Sequence, residues 1–288
     1  MKYDFAVIGA NGMQGKIVSK DLLESGYSVL LCANDDFGLD ELLEYKKSDF
    51  TLINLKEMDK VRRVLKKSGA KVVVNCAIDD FNLTVTETCL DLGMNYIDLG
   101  SWESMTYAQL ALSDKFKEKG ITAIIGSGST PGITNVMLRH AKPKFDTIHT
   151  VHLGFAWKSN MPYFVPPFSI DAIAWEFSGK AKIFENGKYV ERYPQECPFQ
   201  YDYKGIGKQT TWYTDHMEHF TFYEYLKDIG IKNVAVCSSF PDYARETILK
   251  LIELGFTKNN RQTQTNEIPI KGVDIEPIDF TEAVLRRI

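Results

Sequence analysis

The first half of the chain alternates short apolar runs with segments of helical periodicity. The apolar runs of strand length cover residues 3–9, 27–33, 50–55, 71–77, 96–99 and 121–125. Between them, apolar residues recur every three to four positions and predict helices over residues 16–25, 39–45, 57–67, 83–92 and 104–119. Apolar strands that alternate with helices are typical of a parallel sheet covered on both faces. The pattern therefore predicts an α/β domain with a doubly wound parallel sheet over residues 1–145.

The second half does not keep this alternation. A strand over 147–156 leads into an aromatic and proline-rich stretch, and a hairpin over 181–193 is indicated by Asn186-Gly187. Helices are predicted over residues 169–177, 220–228 and 243–254, with a strand over 234–240. We therefore predict a second, α+β domain over residues 146–288 that binds substrate and forms a dimer. A polar loop over 258–267 and a helical pattern over 280–288 complete the chain.

Composition narrows the possible functions. The chain has 44% hydrophobic and 25% charged residues, an ordinary globular mix, and a net charge of −4 argues against a nucleic-acid partner. No apolar run approaches the roughly 20 residues of a membrane span, and nothing at the start resembles a signal peptide. The five cysteines stand far apart, without a CxxC pair, which favours a reducing compartment over a disulfide or zinc scaffold. We therefore expect a cytoplasmic protein without a membrane partner.

A glycine-rich turn with the spacing GxxGxxG, from Gly9 to Gly15, lies between the first strand and the first helix. Such a turn lets the backbone approach a pyrophosphate, and the following helix directs its free N–H groups at the anion. Asp35 follows 20 residues after Gly15, near the usual offset of the acid that bonds the ribose 2′-OH. These features predict a Rossmann-type dinucleotide site. The run 34–36 holds two acids and no cation, which favours NAD over NADP without excluding NADP.

Individual residues are assigned to parts of the dinucleotide. The pyrophosphate is expected to contact Gly9, Asn11, Gly12, Met13 and Gln14. The ribose is assigned to Asn34 and Asp35, and the adenine to Asn54 and Leu55. Backbone contacts to the adenine-side ribose and to the nicotinamide are assigned to Cys76, Ala77 and Ile78.

Three further segments carry a resemblance to a known family. These are Val72-Val73-Val74-Asn75-Cys76-Ala77, the CLxLGxxYxDLG-like run over 89–100, and the GxGxxPGxxN-like run over 126–135. Together with the glycine turn, they make the chain resemble the saccharopine dehydrogenase superfamily. That resemblance implies a Rossmann domain with an inserted α/β domain, and a substrate bound between them. In longer members the chain returns to the first domain. Here it ends soon after a family-like segment over 270–285, so the returning element is expected to be absent or shortened.

The resemblance also implies a reaction, namely hydride transfer at a carbon that bears an amine. We therefore predict an NAD(P)-dependent dehydrogenase of the saccharopine dehydrogenase-like type, acting on the CH–NH bond of an amino acid or a polyamine-like amine. Lysine metabolism and a homodimer are predicted on the same basis. Two other functions stay open: a dinucleotide-binding sensor without turnover, and a two-domain dehydrogenase of aldehydes or ketones. An acyl-transferring version of the last would need a reactive cysteine, and no cysteine here has such a motif.

Candidate catalytic and substrate-binding residues come from the resembling segments. Asp98 is predicted to handle a proton or bind the amine, with a helix cap before residues 102–104 as its alternative. Thr130 is the second catalytic candidate, although relatives carry Asp or Ala there and a hydroxyl is no general base at neutral pH. The substrate is assigned to Ser101, Ser129, Asn135 and Lys158, where Ser101 and Asn135 have capping as an equal alternative.

Other charged and metal-binding side chains are less specific. A substrate carboxylate needs a cation from the second domain, and Lys158 is slightly preferred over Lys204, Lys208 and Arg245 because it follows a strand. The run His216-Met217-Glu218-His219 is HxxH and not HExxH, so we predict no metal.

Overall fold

The structure, a computed structural model, describes residues 2–100, 102–158, 160–161, 164–166, 168, 170–256, 268–270 and 273–275. The chain divides into two units, Met1–Pro143 and Lys144–Ile288. This division lies two residues before the predicted boundary at 145. Three predictions lie outside the described residues: the substrate contact of Ser101, the loop over 258–267 and the helix over 280–288.

The first unit contains a six-stranded parallel sheet in the order β3-β2-β1-β4-β5-β6. Its strands are β1 (Phe5–Ile8), β2 (Val29–Ala33), β3 (Ser48–Leu52), β4 (Val72–Asn75), β5 (Asn95–Asp98) and β6 (Ala123–Ile124). The chain runs outward from β1 to β3 and then crosses back to place β4 against the other side of β1. The strand order therefore reverses between β1 and β4, and ligands of such sheets bind at the carboxyl ends of the strands there.

Seven helices connect and follow these strands within the described part of the first unit. They are α1 (Met13–Glu24), α2 (Asp40–Leu43), α3 (Met58–Ser68), α4 (Asn82–Leu92), α5 (Glu103–Leu110), α6 (Ser113–Glu118) and α7 (Ile133–Ala141). Successive residues of β1 pack into opposite cores, because strand side chains alternate between the faces of a sheet. Ala6 and Ile8 lie in one cluster and Val7 in the other, and all three are buried. Burial on both faces explains why these strands are continuous apolar runs in the sequence.

The second unit contains a mixed sheet built around one central strand. The helices and strands described in the second unit are β7 (Thr150–Ala156), α8 (Ile170–Ser178), β8 (Ala181–Glu185), β9 (Lys188–Arg192), β10 (Gln200–Tyr203), β11 (Gly207–Thr210), β12 (Trp212–Tyr213), α9 (Glu218–Leu226), β13 (Asn233–Ser239), α10 (Asp242–Glu253), β14 (Ile268–Ile270) and β15 (Val273–Ile275). Strand β13 pairs in parallel with β7 and antiparallel with β8 and β12. The predicted fold class, a doubly wound parallel sheet followed by an α+β domain, is confirmed.

Several local predictions can be compared with the structure directly. The β8–β9 hairpin turns at Asn186 and Gly187, with φ of 51° and 79°, as an Asn-Gly turn requires. The single helix predicted over 104–119 is wrong, because α5 ends at Leu110 and α6 begins at Ser113. The Ser113 hydroxyl donates to the Leu110 carbonyl at 2.6 Å, between the end of α5 and the start of α6. The helix predicted over 220–228 is α9, which begins two residues earlier, at Glu218.

None of the helices in the described ranges is long and apolar enough to cross a membrane.

Candidate cofactor site and active site

The glycine turn links β1 to α1 by very close backbone contacts. A Cβ on Gly9 would lie 2.7 Å from the Ala77 nitrogen, and one on Gly15 would collide with the Gly9 carbonyl oxygen. Gly9 also has φ of 74°, a conformation that L side chains rarely adopt. Gly12 caps α1 without a side chain, so the first N–H groups of the helix face the space above the turn. The turn therefore has the shape and the dipole that a pyrophosphate needs.

Asn11 connects this turn to the acidic end of β2. Its Nδ2 donates to Asp35 Oδ1 at 2.7 Å, and the backbone N–H of Phe37 donates to the same oxygen at 3.0 Å. Asn34 and Asp35 are both exposed. The structure thus brings the predicted pyrophosphate and ribose residues together, although they are more than 20 residues apart in the chain.

A cation that the sequence did not indicate approaches the same acidic segment. The Lys16 ammonium lies 5.9 Å from the centroid of the Phe37 ring, and a Cβ on Gly38 would collide with it. Lys16 belongs to the first turns of α1, so only the fold places it beside the residues that follow Asp35. A 2′-phosphate at this edge would therefore meet a positive charge as well as the two acids.

The remaining predicted cofactor residues lie at two strand ends. Cys76 and Ala77 follow β4 directly, and the Cys76 N–H donates to the Ile8 carbonyl at 2.9 Å. Ile78 comes next and is 46% exposed. Burial raises the pKa of Cys76 to about 12, with a smaller contribution from the Asp98 carboxylate, so this thiol stays protonated. Cys76 can therefore contact a dinucleotide through its backbone.

Asn54 and Leu55 follow β3 and are engaged in local structure. Asn54 Oδ1 accepts from the Lys56 N–H at 2.9 Å, and the Asn54 carbonyl accepts from the Glu57 N–H at 2.8 Å. Leu55 is half-buried against the core of the first unit. The Asn54 side chain therefore shapes the turn into α3, and its assignment to the adenine stays a prediction.

Asp98 is enclosed at the carboxyl end of β5, with 0% of its surface exposed. Its Oδ1 accepts from the N–H groups of Gly100 and Gly126 at 3.0 and 2.7 Å. Its Oδ2 accepts from Gln109 Nε2 at 2.7 Å. Charge-assisted bonds to three donors are typical of a structural carboxylate. The contacts thus favour a positioning role over proton transfer, and they differ from the helix cap that was the predicted alternative.

Asp98 belongs to a buried polar network behind the strand ends. Gln109 Nε2 also donates to the Thr86 hydroxyl at 2.9 Å, and Thr86 in turn donates to the Asn82 carbonyl at 2.7 Å. Asn75 Nδ2 donates to Asn82 Oδ1 at 2.8 Å. The network links the ends of β4 and β5 to α4 and α5. Sequence reasoning missed Gln109 and Asn82, because Gln109 is an isolated amide inside a predicted helix and Asn82 directly precedes another.

The segment from Gly126 to Gly132, which we call the proline turn, lies against the end of β5. The Ser127 N–H donates to the Asp98 carbonyl at 2.7 Å, and a Cβ on Gly100 would lie 2.7 Å from Pro131 Cγ. The Thr130–Pro131 peptide bond is cis. These contacts hold the turn at the edge of the sheet where ligands of such folds bind.

Three predicted site residues belong to the proline turn and to α7. Ser129 is exposed and Thr130 is half-buried. Asn135 Oδ1 accepts from the Gly132 N–H at 3.0 Å, which favours its capping alternative over a substrate contact. Ser129 and Thr130 keep their predicted assignments.

Cations of the second unit differ in how firmly they are held. Lys158 is exposed after β7. Arg245, on α10, has only 20% of its side chain exposed and pairs with Asp242 at 3.1 Å. Its guanidinium carbon also lies 5.5 Å from the Trp212 ring centroid. Since an aromatic face and an acid hold Arg245 in place, it is the better-ordered candidate for a substrate carboxylate.

His216 lies between two glutamates, a group we call the Glu–His–Glu cluster. His216 Nε2 is 3.5 Å from Glu176 Oε1, and Nδ1 is 3.4 Å from Glu218 Oε2. Burial lowers the pKa of His216, but hydrogen bonds and charge from Glu176 and Glu218 outweigh it and raise the pKa to about 10. Among the described residues no group of three or more His, Cys, Asp or Glu is arranged to hold a metal.

Comparisons with known proteins agree with the prediction that the first unit binds a dinucleotide. Residues 5–124 match the family model described as the saccharopine dehydrogenase NADP binding domain. Carboxyaminopropylagmatine dehydrogenase of Synechocystis sp. is 24% identical over 97% of this chain and 71% of its own length. Carboxynorspermidine synthase of Vibrio cholerae is 24% identical over 83% of this chain and 59% of its own length.

Solved structures show the same fold across both units. Saccharopine dehydrogenase (L-Glu forming) from Saccharomyces cerevisiae has a TM-score of 0.68 and 14% identity, covering 92% of this chain and 60% of that one. Homospermidine synthase from Legionella pneumophila, solved with NAD, has a TM-score of 0.66 and 18% identity, covering 90% and 70%.

The predicted resemblance to the saccharopine dehydrogenase superfamily is confirmed over residues 5–124, which match the model of its NADP-binding domain. The predicted class, an NAD(P)-dependent dehydrogenase of that type, agrees with the match to an NADP-binding domain and with the name of the curated Synechocystis relative, which is a dehydrogenase. A nicotinamide dinucleotide is therefore the cofactor class of the first unit. The chain spans roughly three fifths to seven tenths of the relatives' lengths, from 59% to 71%.

Proposed function

We propose that this chain catalyses NAD(P)-dependent hydride transfer at a CH–NH bond that joins a polyamine-like amine to a carboxylated chain. The main support for this proposal is the geometry of the glycine turn. Its glycines leave room for a pyrophosphate, its helix end faces the anion, and Asn11 ties it to Asp35 at 2.7 Å. When bound, the nicotinamide supplies or accepts the hydride, so the protein has to orient the carbon and bind the substrate charges.

Residues of the first unit would hold the dinucleotide as predicted. Gly9, Gly12 and the start of α1 would face the pyrophosphate, and Asp35 the ribose. The proline turn would present Ser129 and the Thr130 hydroxyl to the reacting end, and Asp98 would keep that turn in place through Gly126. A threonine hydroxyl donates and accepts hydrogen bonds but does not ionise near neutral pH. Thr130 would therefore orient the amine, and water would exchange the proton.

The substrate class follows from charge and from the relatives. Arg245, which an acid and an aromatic face hold in place, suits a carboxylate. The names carboxyaminopropylagmatine dehydrogenase and carboxynorspermidine synthase both describe an amine with a carboxylated arm. These names favour polyamine chemistry over the lysine metabolism predicted from the sequence.

The test is a cofactor titration followed by a substrate panel. NAD and NADP are titrated separately, and the better cofactor is incubated with carboxyaminopropylagmatine, carboxynorspermidine and saccharopine while the absorbance of the reduced cofactor is followed. Reduction driven by either carboxylated polyamine supports the proposal. Reduction by saccharopine alone would return the chain to lysine metabolism. Tight cofactor binding without turnover, in this direction or with an amine plus an aldehyde, would favour a sensor.

The aldehyde or ketone dehydrogenase is less well supported. Its acyl-transferring form needs a reactive thiolate beside the nicotinamide. Cys76 is the cysteine next to the glycine turn, and burial raises its pKa to about 12. The homodimer, the cytoplasmic location and the preference for NAD stay proposals, and sedimentation of the purified chain tests the first of them.

A further inference from the structure

Two cysteines far apart in the sequence meet in the second unit. Cys197 follows a short 3₁₀ turn, Pro194–Glu196, and Cys237 lies within the central strand β13. Their Sγ atoms are 3.5 Å apart, and all five cysteines of the chain are free thiols. Cys237 is fully buried and Cys197 is half-buried. The pair is thus a dithiol in which one cysteine is partly exposed and the other is fully buried.

The two sulfurs have opposite acid–base character. The hydrogen-bonded contact between the two Sγ atoms lowers the pKa of Cys197 to about 6, against the effect of burial. Thr211 Oγ1 lies 3.1 Å from Cys197 Sγ, and the Thr211 hydroxyl donates to the Phe199 carbonyl at 2.7 Å. The same hydrogen bond, together with burial, raises the pKa of Cys237. In contrast, burial raises the pKa of Cys32 and of Cys89 to about 12.

We propose that Cys197 and Cys237 form a reversible disulfide when the protein meets hydrogen peroxide. Cys197 is the attacking thiolate and Cys237 the resolving thiol. A disulfide needs an S–S distance of about 2.05 Å, so the sulfurs have to approach by about 1.5 Å. Since β13 is paired on both sides, the segment that carries Cys197 makes this movement.

The chemistry balances in two steps. The Cys197 thiolate attacks one peroxide oxygen, the O–O bond breaks, and the leaving hydroxide takes up a proton, which gives a sulfenic acid and water. The Cys237 sulfur then attacks Cys197 Sγ, the S–O bond breaks, and the leaving hydroxide takes the Cys237 proton as a second water. Two thiols lose two electrons and peroxide gains them. A dithiol reductant reverses the change by thiol–disulfide exchange.

The aromatic residues around the two cysteines favour reaction with a small oxidant and resolution by a thiol of the same chain. Phe199, Tyr201 and Tyr213 pack in the same cluster as the two cysteines and restrict access to bulky reagents. A sulfenic acid at Cys197 therefore meets Cys237 sooner than a thiol from solution. Reversible disulfides of this kind are those expected of intracellular proteins.

The test uses the full chain under native conditions. The protein is reduced, freed of reductant, treated with a small excess of hydrogen peroxide, alkylated, digested without reduction and analysed by mass spectrometry. We expect a peptide that links Cys197 to Cys237, a fall from five free thiols to three, and full recovery with dithiothreitol. Cys197→Ser should stay at four thiols after peroxide, and the matched control Cys89→Ala should still form the link.

Either of two results overturns the proposal. The first is a wild-type protein that keeps all its thiols at peroxide concentrations that oxidise a free model thiol. The second is a dimedone-reactive sulfenic acid at Cys197 that persists with no link to Cys237. The peptide map of the wild-type protein decides the matter even where a variant fails to fold.

Discussion

Replacing Asp98 by asparagine tests whether the Asp98 carboxylate has a structural or a catalytic role. The substitution keeps the shape of the side chain and removes its charge. One amide oxygen can still accept from Gly100 and Gly126, which lie 3.0 and 2.7 Å from Oδ1. The new amide nitrogen then faces Gln109 Nε2, which is 2.7 Å from the present Oδ2. Two donors would oppose each other inside a buried network.

The expected loss of stability follows from these three contacts. Two bonds lose the assistance of a charge, and the third is replaced by a buried, unpaired donor that costs about 1–3 kcal/mol. Rotating the Gln109 amide does not remove the conflict, because its oxygen would then face Thr86, whose hydroxyl donates to the Asn82 carbonyl. We expect Asp98→Asn to lower the free energy of unfolding of the first unit by about 2–4 kcal/mol.

Hydrogen exchange is the assay that resolves this effect. The amides of Gly126 and Ser127 both donate to Asp98, so their protection should fall most. Urea unfolding followed by circular dichroism gives the overall loss. The exposed control Asp114→Asn should change stability by no more than about 0.5 kcal/mol. Dinucleotide binding should survive in both variants, because the glycine turn is unchanged.

A reciprocal exchange of amide and acid gives the sharpest form of the test. Gln109→Glu alone places two carboxylates at the 2.7 Å contact and should also destabilise the unit. In the double variant Asp98→Asn/Gln109→Glu the amide donates to the new carboxylate, so part of the stability should return. The remainder stays lost, because an oxygen of the new glutamate faces Thr86 in place of the donor. Turnover that falls at least about tenfold in Asp98→Asn with unchanged exchange and unchanged stability would refute a positioning role and restore Asp98 as a catalytic residue.

Three further predictions concern the cofactor turn and the Glu–His–Glu cluster. Gly15→Ala should weaken dinucleotide binding at least about tenfold, because its methyl group meets the Gly9 carbonyl, whereas the control Gly179→Ala should bind normally in the same titration. Lys16→Gln should weaken NADP binding more than NAD binding, and an equal effect on both would place Lys16 away from the 2′-position. The His216 imidazolium should stabilise the second unit fully below about pH 6.5 and lose this contribution as the pH rises through about 10. The span between these pKa values corresponds to at most about 5 kcal/mol, and urea unfolding followed by tryptophan fluorescence should show a flatter pH profile in His216→Gln.

Patterns that depend on neighbours in the chain predicted most of the fold. The apolar strands of the first unit are recognisable because both of their faces are buried, and Asn186-Gly187 adopts the two positive φ angles that its hairpin needs. The same local rules explain the failure over 104–119. Apolar periodicity continues through Leu112 and Phe116, while the break between α5 and α6 involves one hydroxyl, that of Ser113.

The site was predictable where its chemistry lies in one continuous segment, as in the glycine turn and the proline turn. The roles of single polar residues depend on partners from other segments. The Asp98 carboxylate is a positioning group and not a base because Gly126 and Gln109 donate hydrogen bonds to it. These two residues follow Asp98 by 28 and 11 positions in the chain. The position of Asp98 after a strand indicated only the sheet edge where ligands bind, and the three donors around it stabilise the buried carboxylate.

Cofactor preference depends on tertiary structure in the same way. Acids at the end of β2 favour NAD when only the run 34–36 is considered, since nothing in that run neutralises a 2′-phosphate. Lys16 changes this balance because α1 begins at the glycine turn and directs the lysine toward Phe37 and Gly38. The glycines that admit the pyrophosphate thus also fix the helix that carries this cation. Phosphate binding and nucleotide discrimination are therefore coupled through one backbone turn, and a change at Gly15 should disturb both.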